Sequence, residues 1–245
     1  MTSVSSVSQP EVPKKNLAAR LIGVIFSPGQ TFRTVVAHPT WIGAMLAVTL
    51  VVAAGNFALL STEVGQQALL DQQIRSMESW GMTVTAEQQA AMEHRLPMSR
   101  YITFVTILVI SPIVTFIVAG LLFAVFNAGL GGDASFKQVL AVVTHGGAVS
   151  IVAALFTLPL NYARESMSGA TNLGVFVPFL EEGSLPARFL GMIDLLLVWS
   201  VIVLAIGLAV LYKRRTGPVA LSLLGAYAGI AAVIAGVMRA FAGSH

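Results

Sequence analysis

The stretch that decides the fold is YITFVTILVISPIVTFIVAGLLFAVFNAGLGGDASFKQVLAVVTHGGAVSIVAALFTLPL, residues 101–160. It consists of two long apolar runs on either side of the short polar segment GLGGDASFKQ, residues 129–138. The first run has no charged side chain for about 32 residues, and a helix of that length exceeds the roughly 30 Å hydrocarbon core of a bilayer. The second run is uncharged for about 26 residues, from residue 138 to residue 163. Because hydrocarbon offers the backbone no hydrogen-bond partners, both runs are predicted to be membrane-spanning helices.

The composition of the whole chain is that of a membrane protein. Of its 245 residues, 56% are hydrophobic and only 10% are charged, whereas a soluble domain carries about 25% charged residues. The net charge is only +3, and the basic residues are spread along the flanks of the apolar runs, so nucleic acid is not expected as a partner. The chain has no cysteine, which excludes disulfides, thiolate metal sites and cysteine nucleophiles.

The order of polar and apolar segments divides the chain into three parts. Residues 1–13 are rich in Ser, Val and Pro without periodicity and are expected to be a disordered tail. Residues 14–40 are predicted to be amphipathic helices at the membrane interface, with Lys and Arg facing lipid phosphate; two cytosolic helices packed under the bundle are the alternative. Residues 41–241 are expected to be an all-α domain of five transmembrane helices. Its spans are predicted at residues 41–60, 101–128, 136–160, 189–212 and 219–241, with an external helical hairpin at residues 61–100.

Local signals predict where several helices begin or end. In SPGQ, residues 27–30, the serine is expected to be an N-cap, followed by proline in the first turn and a capping-box glutamine. In the external hairpin, Gly81 is expected to end the first helix and Thr85 to begin the second. Trp41 is expected to anchor span one at the interface.

The other signals concern the interruptions of the apolar runs. Three glycines in residues 129–132 allow the chain to reverse, and either Asp133 or Ser135 is expected to cap span three. Pro112 lies inside span two and is expected to kink it. The pair at residues 217–218, Gly-Pro, is expected to separate spans four and five.

The distribution of Lys and Arg predicts a cytoplasmic N-terminus and an external C-terminus. Eight of these residues fall in segments that would be inside and six in segments that would be outside. The inner residues adjoin the ends of the spans, where they count most, and the outer ones are diluted over long loops. Nine of the eleven carboxylates fall on the outer side.

Four polar side chains within predicted spans, Asn56, His145, Asp194 and Arg239, are the candidate intramembrane site, because such groups are costly in lipid and often functional. His145 and Asp194 are expected to differ in depth by about 15 Å, which excludes a direct pair. For His145 we favour a neutral imidazole that forms a hydrogen bond to a neighbouring helix. The two glycines that follow it allow that helix to approach closely. Asp194 is expected to pair with Arg239. The alternatives are a proton or ion path at His145 and an ion ligand at Asp194.

No cofactor, metal or catalytic site is predicted. The segment GLGGDA loosely matches a dinucleotide-binding fingerprint, but a membrane helix precedes it where that motif requires a strand. No group of His and carboxylates has the spacing of metal ligands. Without a nucleophile elbow, a phosphate loop or paired carboxylates in the bundle, the protein is expected not to be an enzyme.

Two spans carry small residues at the spacing that permits close helix packing. Such faces serve packing within one chain or between chains, and packing within the chain is expected here, with self-association as the alternative. The positions are Gly120, Ala124 and Ala128 in span two, and Gly225, Gly229, Ala232 and Gly236 in span five.

Three segments together resemble the Ypt/Rab-interacting protein (YIP) domain family: FSPGQTF at residues 26–32, GGDASFKQVLAVV at residues 131–143 and IDLLLVWSVIVLAIGLAVLYK at residues 193–213. The resemblance implies a five-span domain with a cytosolic N-terminus. Eukaryotic members act with Rab-type GTPases, and bacterial members have no settled activity. The short N-terminal tail and the helical insertion after span one favour a bacterial inner-membrane member. The matching positions are Pro28, Phe32, Gly132, Phe136, Lys137, Asp194, Trp199 and Gly207.

The expected function is that of a non-enzymatic membrane-organising or adaptor protein. Its expected partners are the lipid bilayer and other membrane proteins, with self-association left open. The alternative is a subunit of a small-solute or ion transporter or channel that uses the polar residues of the bundle.

Overall fold

The computed structural model describes residues 16–167, 169–181 and 184–242, so the tail predicted at residues 1–13 lies outside the described residues. Within these ranges every regular element is a helix, and one isolated β-bridge joins Asn172 to Asp194. The helices are α1 (Leu17–Phe26), α2 (Pro28–Ala37), α3 (Ile42–Leu60), α4 (Glu63–Ser79), α5 (Ala86–Phe123), α6 (Phe136–Gly146), α7 (Ala148–Ala163), α8 (Leu185–Met192), α9 (Leu195–Leu211) and α10 (Thr216–Ala242), with a π-helical turn at Ala124–Gly129 and a 3-10 turn at Leu173–Phe176.

Four helical segments are long and apolar enough to cross a bilayer: Ile42–Leu60, Ala86–Gly129, Phe136–Ala163 and Thr216–Phe241. They correspond to predicted spans one, two, three and five, and the chain is an all-α polytopic membrane protein. The predicted fourth span corresponds to α9, which has 17 residues and is therefore about 25 Å long. Because this is somewhat less than the roughly 30 Å hydrocarbon core, the count of five crossings stays a prediction.

The second arm of the predicted external hairpin is continuous with span two, so the boundary expected at residue 101 does not exist. Gly81, at φ 80°, follows the end of α4, as predicted. Thr85 begins α5 with a capping box, also as predicted. From there α5 continues for 38 residues through both Pro97 and Pro112. Each proline removes one backbone hydrogen bond, but the bonds on either side keep the helix continuous; the kink at Pro112 stays a prediction.

Span three consists of α6 and α7, which meet at Gly147. Of the two candidate caps it is Ser135 that begins α6: the Gln138 N–H donates to the Ser135 hydroxyl at 3.4 Å. The Ser135 N–H donates in turn to Gln138 Oε1 at 2.9 Å. This capping box satisfies two backbone donors that a helix start otherwise leaves without partners.

Span four begins later than the predicted residue 189. A separate short helix, α8, ends at Met192, and the backbone at Ile193 is extended. The Asp194 carboxylate then accepts hydrogen bonds from the N–H groups of Leu196 and Leu197 at 2.8 and 3.0 Å. Because the first N–H groups of a helix have no partner within it, this carboxylate sets the start of α9. Asp194 therefore lies at the end of the span and not inside it.

The Gly-Pro pair at residues 217–218 does not separate spans four and five. Both residues lie in the first turn of α10, which begins at Thr216. Proline is tolerated there, because an N–H in the first turn would have no partner within the helix. The reversal between α9 and α10 instead occupies residues 212–215, where Lys213 has a φ of 52°.

The N-terminal helices pack into the bundle. Val24 of α1 and Phe32 and Val35 of α2 are fully buried, in one core with side chains of α6 and α9. Ser27 precedes α2 as predicted, but its side chain makes no capping hydrogen bond. The outward side of α1 exposes Phe26, so this side can contact acyl chains.

Arg20 does not face lipid phosphate, contrary to expectation. It is 3% exposed, and its guanidinium donates to the His38 carbonyl at 3.0 Å and to the Thr40 hydroxyl at 2.9 Å. Burial lowers the pKa of this guanidinium below its ordinary value. The two hydrogen bonds compensate for the lost hydration and join α1 to the segment that leads into α3.

Candidate functional site

His145 lies near the end of α6 and is fully buried. Its Nδ1 is 2.8 Å from the carbonyl oxygen of Ala141 in the same helix. The predicted hydrogen bond to a neighbouring helix is therefore wrong. The ring instead reaches the backbone carbonyl oxygen one turn earlier in its own helix. Its Nε2 is also shielded from solvent and has no partner within the described ranges. A side chain without accessible surface lines no water-filled path in this structure.

The two glycines after His145 bring neighbouring helices close, as expected. A Cβ on Gly146 would lie 4.0 Å from the Leu204 Cα of α9, and a Cβ on Gly147 would lie 3.5 Å from Val48 of α3. Span three is thus packed between α3 and α9 at the level of the imidazole. Close packing of this kind stabilises helix pairs in lipid through dispersion contacts.

Asp194 forms several hydrogen bonds with neighbouring segments of the chain. Besides capping α9, its carboxylate accepts a hydrogen bond from the Thr171 hydroxyl. Its own N–H donates to the Tyr227 hydroxyl at 3.1 Å, and that hydroxyl donates to the Met192 carbonyl at 2.6 Å. These contacts join the loop before α8, the start of α9 and the middle of α10.

The expected ion pair between Asp194 and Arg239 is not formed. Asp194 lies at the level of Tyr227 on α10, and Arg239 is twelve residues further along that helix, which corresponds to about 18 Å. The prediction failed because α10 has 27 residues and α9 only 17, so the last turns of α10 extend beyond the start of α9. The beginning of α9 therefore lies opposite the middle of α10.

The four candidate intramembrane residues do not form one site. The Asn56 side chain donates to the Val52 carbonyl of its own helix at 2.9 Å, as His145 is bonded within α6. Arg239 is exposed in the last turn of α10. Each of the first two polar groups is thus paired with the backbone of its own helix, which reduces its cost in lipid.

Two family-like positions, Phe32 and Gly207, meet in the core. A Cβ on Gly207 of α9 would lie 2.6 Å from Val142 Cγ1 of α6 and 3.0 Å from the Phe32 ring of α2. Real Cβ atoms do not approach other atoms so closely, so this contact of three helices requires glycine at residue 207. The N-terminal helices are held against the bundle at this point.

A second cluster surrounds the turn between spans two and three. The rings of Phe126 and Tyr212 are stacked with centroids 4.8 Å apart, and a Cβ on Gly132 would lie 2.6 Å from the Tyr212 ring. The Tyr212 hydroxyl donates to Asn127 Oδ1 at 2.7 Å, and Asn127 Nδ2 donates to the Ala134 carbonyl at 2.7 Å. We call Phe126, Asn127, Gly132, Ala134 and Tyr212 the turn cluster.

Further hydrogen bonds connect this end of the bundle. The Arg214 guanidinium donates to the Leu130 carbonyl at 2.9 Å, and the Gln138 amide donates to the Val36 carbonyl of α2 at 3.4 Å. The end of α2, the turn at residues 129–135 and the residues after α9 therefore lie together at one end of the bundle.

The sequence prediction missed Asn127 and Tyr212. A signal for Asn127 was present, because it is the only carboxamide in the apolar run at residues 101–128. An amide at such a position needs a partner within the protein. Nothing local indicates that its partner is a tyrosine 85 residues later.

The remaining family-like positions lie at the starts of helices or in packing contacts. Pro28 is the first residue of α2, and Trp199 is partly buried against the core. The Phe136 ring is stacked on the Phe116 ring at 6.4 Å. Lys137 is exposed at the start of α6.

Both faces of small residues point away from the bundle, contrary to expectation. A Cβ on Gly120, Gly225, Gly229 or Gly236 would meet nothing within 4 Å. On α10 the face adjoins a shallow groove of about 450 Å³ formed by apolar side chains, among them Ile230. The prediction failed because spacing alone does not say which side of a helix a neighbour occupies.

No group of three or more His, Cys, Asp or Glu that could hold a metal ion occurs in residues 16–167, 169–181 and 184–242. The buried polar groups described above are paired mainly with backbone groups. These hydrogen bonds serve to position the helices.

The comparisons with known proteins agree with this architecture. The family model of the Yip1 domain matches residues 22–239, a range that includes both clusters and the hairpin of α4 and α5. No curated protein and no solved structure matches the chain. Since the matched range covers most of the 245 residues, the chain belongs to the Yip1 domain family and is a multi-pass protein of the lipid bilayer.

Proposed function

We propose that this protein is a non-enzymatic organiser or adaptor that binds other membrane proteins within the bilayer. The observation that carries the proposal is the open small-residue face of α10, where Gly225, Gly229 and Gly236 have no neighbour within 4 Å. In lipid, such faces allow a second helix to approach closely and gain dispersion contacts. A partner helix packed there would use a surface that the chain leaves free.

We further propose a bacterial inner membrane as its location, with the N-terminus in the cytoplasm and the C-terminus outside. The contacts among α2, the turn at residues 129–135 and Arg214 support a common side for these segments. That side carries the basic residues that adjoin the span ends, which favours the cytoplasm.

The proposal is tested by quantitative co-purification after gentle cross-linking in native membranes, with the unaltered protein and two variants. Gly229→Leu fills the groove of α10 and should reduce recovery of an enriched membrane partner at least about fivefold, because small-residue faces tolerate bulk poorly. Ala54→Leu is the matched control, since it enlarges an exposed small residue on α3 and should leave recovery unchanged. Equal recovery with all three proteins, or no enriched partner at all, would contradict the proposal.

The second candidate is a subunit of a small-solute or ion transporter or channel. It is favoured by a groove of about 400 Å³ between α3, α5 and α7, where Thr49, Ser111 and Ser150 supply hydroxyls. Against it stands the complete burial of His145. A solute flux into liposomes that is lost in Ser111→Ala would favour this candidate over the adaptor.

A further inference from the structure

A cleft of about 250 Å³ lies between the two arms of the external hairpin, α4 and α5. Its polar lining comprises Gln73 of α4 and Arg95, Ser99 and Thr103 of α5, and its apolar lining includes Leu69 and Ile102. Arg95 has no ion-pair partner within the described ranges. The cleft thus combines one uncompensated positive charge, neutral hydrogen-bond donors and an apolar wall.

The hydroxyl of Ser99 is the second observation. Its Oγ is shielded from solvent but forms no hydrogen bond within the described ranges. Two other helical hydroxyls donate to a carbonyl one turn earlier, at 2.8 Å for Thr115 and 2.9 Å for Thr157, whereas Thr31 Oγ1 in α2 is shielded and unpaired within the same ranges, like that of Ser99. A shielded polar atom without a partner is costly. Because Ser99 lines the cleft, rotation about its χ1 to another staggered rotamer would turn the hydroxyl toward a ligand there, which would supply the missing acceptor. The Nε of Arg100, the next residue, is likewise shielded and unpaired.

The depth of the cleft indicates the kind of ligand. The uncharged part of α5 begins at Tyr101, so Ser99 and Arg95 lie about 3 and 9 Å before it along the helix. The headgroup region of a bilayer is about 5–8 Å thick on each side of the hydrocarbon core. With the hydrocarbon boundary placed at Tyr101, Ser99 lies within this layer and Arg95 at its outer edge, from which its long side chain can reach lipid phosphates. Leu69 and Ile102 can contact the glycerol and upper acyl chains of the same lipid.

We propose that this cleft binds the phosphate group of a membrane phospholipid. The Arg95 guanidinium donates charge-assisted hydrogen bonds to the phosphate oxygens, and Ser99 and Gln73 donate to the remaining acceptors. A free phosphate ion offers the same oxygens but no chains for the apolar wall. The site is separate from the small-residue face of α10 and does not depend on the proposed adaptor function.

The test measures binding of three probes to the full chain in a mild detergent. The probes are a short-chain phosphatidylglycerol, a diacylglycerol with the same chains, and inorganic phosphate. The unaltered protein should bind phosphatidylglycerol at least about tenfold more tightly than either of the others. Equal binding of inorganic phosphate would overturn the assignment to a lipid, and equal binding of diacylglycerol would overturn the role of the phosphate.

Variants then locate the site. Arg95→Gln should weaken binding of phosphatidylglycerol about tenfold or more, because hydrogen bonds to a charged group are lost, and Arg95→Lys should recover part of the affinity. Arg75→Gln is the matched control: this arginine is exposed on α4 outside the cleft lining, and its loss should change binding less than about twofold. Equal affinities of Arg95→Gln and Arg75→Gln would overturn the proposal.

A change of fold is checked by circular dichroism and gel filtration of each variant. Should Arg95→Gln not fold, Ser99→Ala decides the matter, because it removes one hydroxyl and no charge. It should weaken phosphatidylglycerol binding about threefold without changing the helical content. Unchanged binding in Ser99→Ala would then overturn the proposal.

Discussion

Gly207 shows how one residue can determine the contact of three helices. Its missing side chain leaves space for Val142 of α6 and for the Phe32 ring of α2. Both neighbours are fully buried, so neither can move aside without disturbing the core. The same lack of a side chain has no such consequence at Gly229, which faces outward without a neighbour within 4 Å.

Gly207→Ala should therefore destabilise the protein by about 1–3 kcal/mol through overpacking. Gly229→Ala should leave stability unchanged or raise it by up to about 1 kcal/mol, because its Cβ meets no neighbour and alanine favours a helix over glycine. The free energy of unfolding is measured in mixed micelles by titration with a denaturing detergent, followed by circular dichroism. A second substitution, Val142→Ala, should recover part of the loss caused by Gly207→Ala. Equal stability of the two single variants would contradict the packing described for residue 207.

At the scale of elements, α9 is an apolar helix whose start depends on one carboxylate. Asp194 accepts from two N–H groups of its first turn and from the hydroxyl of Thr171. Tyr227 of α10 accepts from the Asp194 N–H and donates to the Met192 carbonyl, and so holds the junction of α8 and α9 against α10. Capping therefore accounts for the carboxylate at the start of the otherwise apolar α9, and no ion pair is needed to explain it.

Asp194→Ala should destabilise the protein by about 0.5–2 kcal/mol, the usual effect of losing an N-cap. Asp194→Asn should retain most of the stability, because asparagine caps helices about as well as aspartate. Arg239→Gln should have no measurable effect, since Arg239 does not reach the carboxylate. The same denaturing titration measures all three variants. A loss of stability in Arg239→Gln as large as that in Asp194→Ala would indicate an ion pair between the two residues and would contradict the structure.

At the scale of the molecule, the helices pack closely in the core of the bundle, whereas two outward faces of small residues have no neighbouring helix among the described residues. The N-terminal helices, α6 and α9 share one core, whereas the small-residue faces of α5 and α10 are left free. The helical hairpin formed by α4 and the beginning of α5 carries the cleft proposed to hold a lipid phosphate. Inner packing thus holds the helices together, and the outer surface meets lipid and the proposed partners.

Cysteine labelling tests the proposed topology, because the chain has no native cysteine. Ser76→Cys and Glu181→Cys should react with a membrane-impermeant maleimide added outside intact cells. Lys137→Cys and Arg215→Cys should react only after permeabilisation, since odd numbers of crossings separate them from the outer loops. All four substituted residues are exposed. Labelling of Glu181→Cys and Arg215→Cys from the same side would show that α9 does not cross the membrane.

The sequence alone determined the class of the protein and the local ends of several helices. Long uncharged runs leave the backbone no choice but helix in lipid, and caps such as Thr85 and Ser135 act through residues three positions away. Only the tertiary structure decided that Arg20 and His145 are buried and that the small-residue face of α10 is open. These features depend on which helices are neighbours and at what level they meet. Apolar residues on every side of a membrane helix do not encode this, because lipid and protein neighbours are equally apolar.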